Sequence, residues 1–111
     1  KQTIQRCKKL KLKTIVFAKN TKEALKISKL KPTYIALEPP ELIAGKISIS
    51  KADPNLIKKT IQKVKTNILV GAGIHNKKDV KIAKKLGAKG VIVSSAITKS
   101  KNPKKIIKEL L

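Results

Sequence analysis

The sequence contains no methionine and no tryptophan, and it has one cysteine, one histidine, one tyrosine and one phenylalanine. A lone Cys7 excludes a disulfide within the chain and any multi-cysteine zinc site, and with His75 as the one histidine no His/Cys metal cluster can be assembled. Such sparse cysteine usage fits a reducing compartment, so the expected location is cytoplasmic. No apolar run approaches the roughly 20 residues that a membrane-spanning helix needs, and no secretory or lipidation signal is visible. With no initiator, the chain opens on Lys1, and a start inside a longer protein is one expectation.

Acidic residues are also scarce: 6 Asp and Glu stand against 28 Lys and Arg, for a formal charge of +22 at pH 7. Every basic residue except Arg6 is a lysine, and the lysines are spread in ones and twos from Lys1 to Lys108. This dispersal suits many solvated helix faces better than one binding block. Apolar residues still make up 41% of the chain, close to ordinary globular usage, which excludes a disordered polybasic tail. At 111 residues the chain is long enough for one modest core and too short for two, so residues 1–111 are expected to form one domain.

Four short apolar runs recur: Thr14-Ile15-Val16-Phe17-Ala18, Tyr34-Ile35-Ala36-Leu37, Asn67-Ile68-Leu69-Val70 and Gly90-Val91-Ile92-Val93. Each reads as a nearly continuous apolar strand, which is the pattern of a parallel sheet covered by helices. Helical patterns lie between them. Asp53 caps a helix that begins with Pro54 and returns Leu56, Ile57, Thr60, Ile61 and Val64 to one face. Asn76 caps another, with Asp79 in its first turn, Val80, Ala83 and Leu86 inward and Gly87 as its left-handed terminator. Asn102-Pro103 starts the last helix, expected to bury Ile106, Ile107 and Leu110. Ile4, Cys7 and Leu10 form a stripe at the front, and Thr21 opens a helix with Ala24, Leu25 and Ile27. The order is one helix followed by four strand–helix units. It specifies an α/β fold with a parallel sheet, either open or half of an eightfold barrel.

In such folds the reactive groups lie beyond the carboxyl ends of the strands. Glu38 ends an apolar strand and is followed by Pro39-Pro40, so its carboxylate is a candidate general base, the bland alternatives being a solvated strand-end acid or a lysine partner. The stretch from Glu41 to Ser50 leaves the strand stiffly and carries Ala44-Gly45 in its middle, as a hinged lid or as an ordinary surface connection. Gly71-Ala72-Gly73 and Ser94-Ser95-Ala96 are small-residue turns at two successive strand ends, where backbone N–H groups can approach an anion. His75 is expected to be exposed and not catalytic. Cys7 is expected to be a small buried hydrophobe, and Asn20 to shape a turn into a helix.

At these residues the sequence resembles the triosephosphate isomerase family in its archaeal form. The matching stretches run from Tyr34 through Glu38-Pro39-Pro40-Glu41-Leu42-Ile43 to Ser50-Lys51-Ala52, then Gly71-Ala72-Gly73-Ile74, then Gly90 to Ser95. That resemblance implies a (β/α)8 TIM barrel of which this chain supplies the C-terminal half, about four β/α units preceded by a helix. It implies that Glu38 is the base interconverting dihydroxyacetone phosphate and glyceraldehyde 3-phosphate through an enediolate, with no cofactor and no metal. The family is itself a standard example of a tuned carboxylate base and of lid closure. Ile43 and Ala44 match the lid over the substrate phosphate, and Gly73, Ser94 and Ser95 match the groups that hold that phosphate. The implied partners are a small triose phosphate, the N-terminal half of the barrel, and further copies in a homo-oligomer once the barrel is complete. Ala44-Gly45-Lys46 stands where the family has Gly-Thr-Gly, and Ser94-Ser95-Ala96 where Ala-Ser-Gly is usual. The family's asparagine, lysine and histidine from the first half would precede Lys1, and His75, in the seventh unit, cannot replace that histidine. These residues alone are therefore expected to be nearly inactive.

A different class of function remains to be weighed, a lysine-rich nucleic-acid-binding module. The charge of +22 favours it. The two aromatics, Phe17 and Tyr34, the single arginine and the scatter of lysines over all faces count against it.

Overall fold

The computed structural model describes residues 1–43 and 47–111. After helix α1 (Gln2–Lys9) come strand β1 (Ile15–Ala18), helix α2 (Thr21–Ser28), strand β2 (Tyr34–Leu37), a 3-10 turn over Pro40–Leu42, and helices α3 (Ile49–Ala52) and α4 (Pro54–Lys63). Strand β3 (Asn67–Val70), helix α5 (Lys77–Lys85), strand β4 (Gly90–Val91) and helices α6 (Ser95–Thr98) and α7 (Pro103–Leu110) complete the order. The four strands form one parallel sheet in the order β1-β2-β3-β4.

Local chemistry explains why the helices start where they do. Asn20, Asp53, Asn76 and Asn102 each turn a side-chain oxygen onto the backbone N–H three residues ahead, at 2.9, 2.9, 3.1 and 3.1 Å. Each such cap satisfies a donor that the first helical turn would otherwise leave open. Asn20 is thus a helix cap, with Glu23 Oε2 reaching back to the Lys19 N–H at 2.8 Å. Gly87 ends α5 at φ +101°, a conformation available to glycine at little cost.

The strands show why a parallel sheet leaves one side open. Ala18, Ile35, Leu37, Ile68 and Val70 are buried with Ala24, Ile57 and Ala83 of the helices in one core. On the alternate positions Ile15 and Phe17 remain 50% and 51% exposed, Leu69 is half-buried, and the small Ala36 is covered. The register places Phe17, Ala36, Leu69 and Gly90 in one row across the sheet. Helices therefore cover one face of the sheet, and the other face is apolar and open. Of the two arrangements the sequence permits, this suits half of a barrel, whose inward side chains pack against the opposite strands.

Three expectations need correction. Strand β4 is paired only over Gly90–Val91, with flanking bonds from Lys89 N–H to the Ile68 carbonyl and from Ile92 N–H to the Val70 carbonyl, both at 2.8 Å, because the chain leaves the ladder after Ile92 to enter α6. In α7 Leu110 is buried, but Ile106 is half-buried and Ile107 is 45% exposed, since the helix packs mainly on α5 and α6. Cys7 is half-buried and Leu10 exposed, because α1 lies at the margin of the core. Among the described residues, no helix is long and apolar enough to cross a membrane.

Candidate active site

The carboxyl ends of β2, β3 and β4 converge on a cleft of about 130 Å³ lined by Glu38, Ile43, Ala72–His75 and Ile92–Ser95. The ladder sets this convergence. Glu38 N–H donates to the Ala18 carbonyl at 2.9 Å, and Gly71 N–H donates to the Leu37 carbonyl at 3.0 Å, so Glu38 and Gly71 follow the last paired residues of adjacent strands. A Cβ on Gly71 would lie 2.9 Å from Glu38 Oε1. The carboxylate thus lies over a bare glycine backbone, half-buried, with Pro39 buried behind it. Gly71 was legible in the sequence as part of a small-residue turn, but its role as the floor beneath the carboxylate was not.

The glycine turn is held in an unusual backbone form. Ala72 and Gly73 both take left-handed φ values, +67° and +66°. A side chain on Gly73 would overlap the Ile47 carbonyl oxygen and lie 2.7 Å from Ser48 Cα. Ile49 N–H donates to the Ala72 carbonyl at 3.3 Å. The exit of the long β2–α3 loop is therefore laid directly against the glycine turn. Ile43, on the entry side of the same loop, is exposed at the rim of the cleft. Ala44, the other lid residue named from the sequence, lies outside the described residues together with Gly45 and Lys46.

Gly73, Ser94 and Ser95 line the cleft from two adjacent strand ends, and His75 is exposed beside them. Beneath the turn lies a cluster that local sequence pattern did not reveal. Asp79, only 1% exposed, binds Lys51 Nζ at 2.7 Å through Oδ1, which also accepts from Ser48 Oγ at 3.2 Å. Its Oδ2 accepts the His75 N–H at 3.1 Å. Burial works to raise the pKa of Asp79, but the Lys51 ammonium, the His75 N–H and the Ser48 hydroxyl outweigh it and hold the carboxyl below its ordinary value. Among the described residues, no group of three or more His, Cys, Asp or Glu side chains could hold a metal ion.

The class this defines is a parallel β/α half-barrel with a carboxylate and two small-residue turns at the carboxyl ends of its strands. Solved structures agree on the fold. The N-acetylmannosamine-6-phosphate 2-epimerase of Clostridium perfringens superposes with a TM-score of 0.75 at 18% identity, covering 99% of this chain and 48% of that one. A thiamine phosphate pyrophosphorylase of Pyrococcus furiosus gives 0.74 at 22% identity, covering 96% and 52%.

A family model described as triosephosphate isomerase matches residues 2–110, and the chain belongs to that family. The triosephosphate isomerase of Methanocaldococcus jannaschii is 43% identical over 113 residues, covering 97% of this chain and 52% of that protein. That of Methanoculleus marisnigri is 36% identical, with 97% and 51% covered. The chain spans about half the length of these relatives.

Proposed function

We propose that residues 1–111 are one domain, the C-terminal half of a triosephosphate isomerase barrel, and that Glu38 is its catalytic base. The observation that carries this reading is the position of the Glu38 carboxylate over Gly71, in one cleft with Gly73, Ser94 and Ser95. Family membership supplies the reaction. Glu38 takes a proton from carbon 1 of dihydroxyacetone phosphate. The C–H electron pair becomes the carbon–carbon double bond of an enediolate, and the carbonyl π pair moves onto oxygen. The Glu38 carboxyl proton exchanges with solvent; its delivery to carbon 2, with the O1 hydroxyl proton passing to O2 as the O1 carbonyl forms, gives glyceraldehyde 3-phosphate. This is proton transfer between neighbouring carbons, so its chemistry calls for no cofactor or metal.

The substrate phosphate sits against the Gly73 backbone and the backbone and hydroxyl groups of Ser94 and Ser95. Ile43 and Ala44 close over it and keep water from the intermediate. The groups that stabilise the enediolate oxygen come from the barrel's other half, which meets the open apolar face around Ile15, Phe17 and Leu69. Transition-state charge stabilisation is commonly the largest catalytic contribution, so these 111 residues alone do not isomerise at a useful rate. The site of action is the cytoplasm, and the complete barrel assembles as a homo-oligomer.

Mixing the chain with the N-terminal half of the Methanocaldococcus jannaschii enzyme tests the reading. Isomerisation is expected to appear only in the mixture and to fall about a thousandfold with Glu38→Gln. A folded complex without activity, or activity indifferent to that substitution, contradicts it.

A further inference from the structure

We infer that Asp79 is a positioning residue for the anion-binding turn, fastening the exit of the β2–α3 loop to the Gly71–His75 backbone, and that Lys51 keeps its charge from the anion. The inference rests on reading the cleft as a phosphate site. Its physical basis is a single buried carboxylate that joins the distant loop exit at Ser48 and Lys51 to the glycine turn four residues before its own position. Oδ1 takes Lys51 Nζ at 2.7 Å and Ser48 Oγ at 3.2 Å, both from the loop exit and the helix that follows it. Oδ2 takes the His75 N–H at 3.1 Å, from the end of the glycine turn. The Asp79 backbone belongs to α5, where its N–H is capped by Asn76 and its carbonyl accepts from Ser50 Oγ at 3.4 Å. Ser48 and Ser50 are themselves buried and 3.0 Å apart, so their hydroxyls are paired within the junction.

A carboxylate is a good fastener for backbone N–H and hydroxyl donors, because a charged acceptor makes the stronger hydrogen bond. It is also a liability beneath a turn meant to hold a phosphate dianion. Lys51 resolves the conflict. Its ammonium meets the carboxylate directly while its side chain stays 43% exposed, so the cation keeps part of its hydration while neutralising a buried charge. The two residues are therefore unequal. Removing Lys51 leaves an uncompensated anion under the turn, whereas replacing Asp79 by Asn keeps an acceptor for His75 and leaves Lys51 free to turn into water.

The test uses the barrel completed with the Methanocaldococcus jannaschii half, with inorganic phosphate as probe and glyceraldehyde 3-phosphate as substrate. Lys51→Met is expected to weaken phosphate binding about tenfold and to raise KM more than it lowers kcat. Asp79→Asn, which keeps one acceptor and loses the other, is expected to weaken phosphate binding less than Lys51→Met does, and the double variant Lys51→Met/Asp79→Asn to recover the difference. Asp79→Ala should speed amide exchange at His75 and Ile49 beyond the change seen elsewhere in α5. Should Lys51→Met and the double variant both bind phosphate like the parent while melting earlier, the pair is only structural and the inference is overturned. If the parent barrel isomerises yet Lys51→Met alters neither phosphate affinity nor KM, the inference fails while the isomerase reading stands. A parent barrel that neither binds phosphate nor isomerises removes both.

Discussion

At the residue scale the cleft depends on two glycines for different reasons. Gly71 gives room to a side chain: a methyl group there would stand 2.9 Å from Glu38 Oε1. Gly71→Ala is expected to leave the melting temperature nearly unchanged and to lower kcat by ten- to about a hundredfold, since small misplacements of a base are costly. Gly73 gives room to a backbone, because a methyl group would overlap Ile47, and its φ is +66°. Gly73→Ala should therefore be destabilising as well as inactivating, a contrast that thermal melts and activity assays of the two variants would read together. Asp79 adds a pH dependence. Its folded-state pKa is held below the unfolded value, so its contribution to stability is present above about pH 4 and is lost as pH falls through the lower folded value. Chemical denaturation from pH 7 to pH 2 should show the parent more stable than Asp79→Asn at neutrality, with the gap closing below pH 4. The helix starts at Asp53, Asn76 and Asn102 are legible in sequence because a cap is local, whereas Asn20 reads only as shaping a turn into a helix and its cap on Glu23 emerges from the structure. The Lys51–Asp79 pair is not, because local pattern makes Asp79 merely an acid in the first turn of a helix and says nothing of a partner two elements away.

At the scale of elements, each strand is four residues or fewer, and helices α2, α4, α5 and α7 each combine one amphipathic face with a side-chain cap, whereas α1, α3 and α6 start without one. Asp53 Oδ1 on the Leu56 N–H at 2.9 Å sets the start of α4, which carries the buried Ile57 and Thr60. Asp53→Ala should cost about 1 kcal/mol and Asp53→Asn almost nothing, measured by denaturant titration. Equal losses from both would point to charge and not capping. The strand–helix alternation was readable from the apolar runs, as was the exposure of Lys58, Lys59, Gln62 and Lys63 opposite the apolar face of α4. Short α3 and α6 were not, since four-residue helices carry too little periodicity to register. The extent of β4 and the burial of α7 were over-read for one reason. Val93, Ile106 and Ile107 are apolar in sequence whether or not a neighbour covers them, and the packing around β4 and α7 leaves them partly open.

At the scale of the molecule, a parallel sheet with helices on one face and Ile15 and Phe17 half-exposed on the other is an incomplete core. Binding of a complementary barrel half should cover that face, and Phe17→Lys should weaken the association at least tenfold, as read by titration of one half with the other. The charge of +22 is carried mostly by lysines, and among the described residues these are exposed on the faces of several helices and in the loops between elements. Weak attraction to duplex DNA at low salt is expected to vanish near physiological ionic strength, whereas tight binding there would favour the nucleic-acid reading. Function in a completed barrel rests on proton transfer through Glu38. Isomerisation in D2O, followed by NMR of the triose phosphates, tests it most directly. Glyceraldehyde 3-phosphate carrying solvent deuterium at carbon 2 is expected, formed about a thousandfold more slowly after Glu38→Gln. Product free of deuterium, or formed at the same rate in the variant, would contradict it.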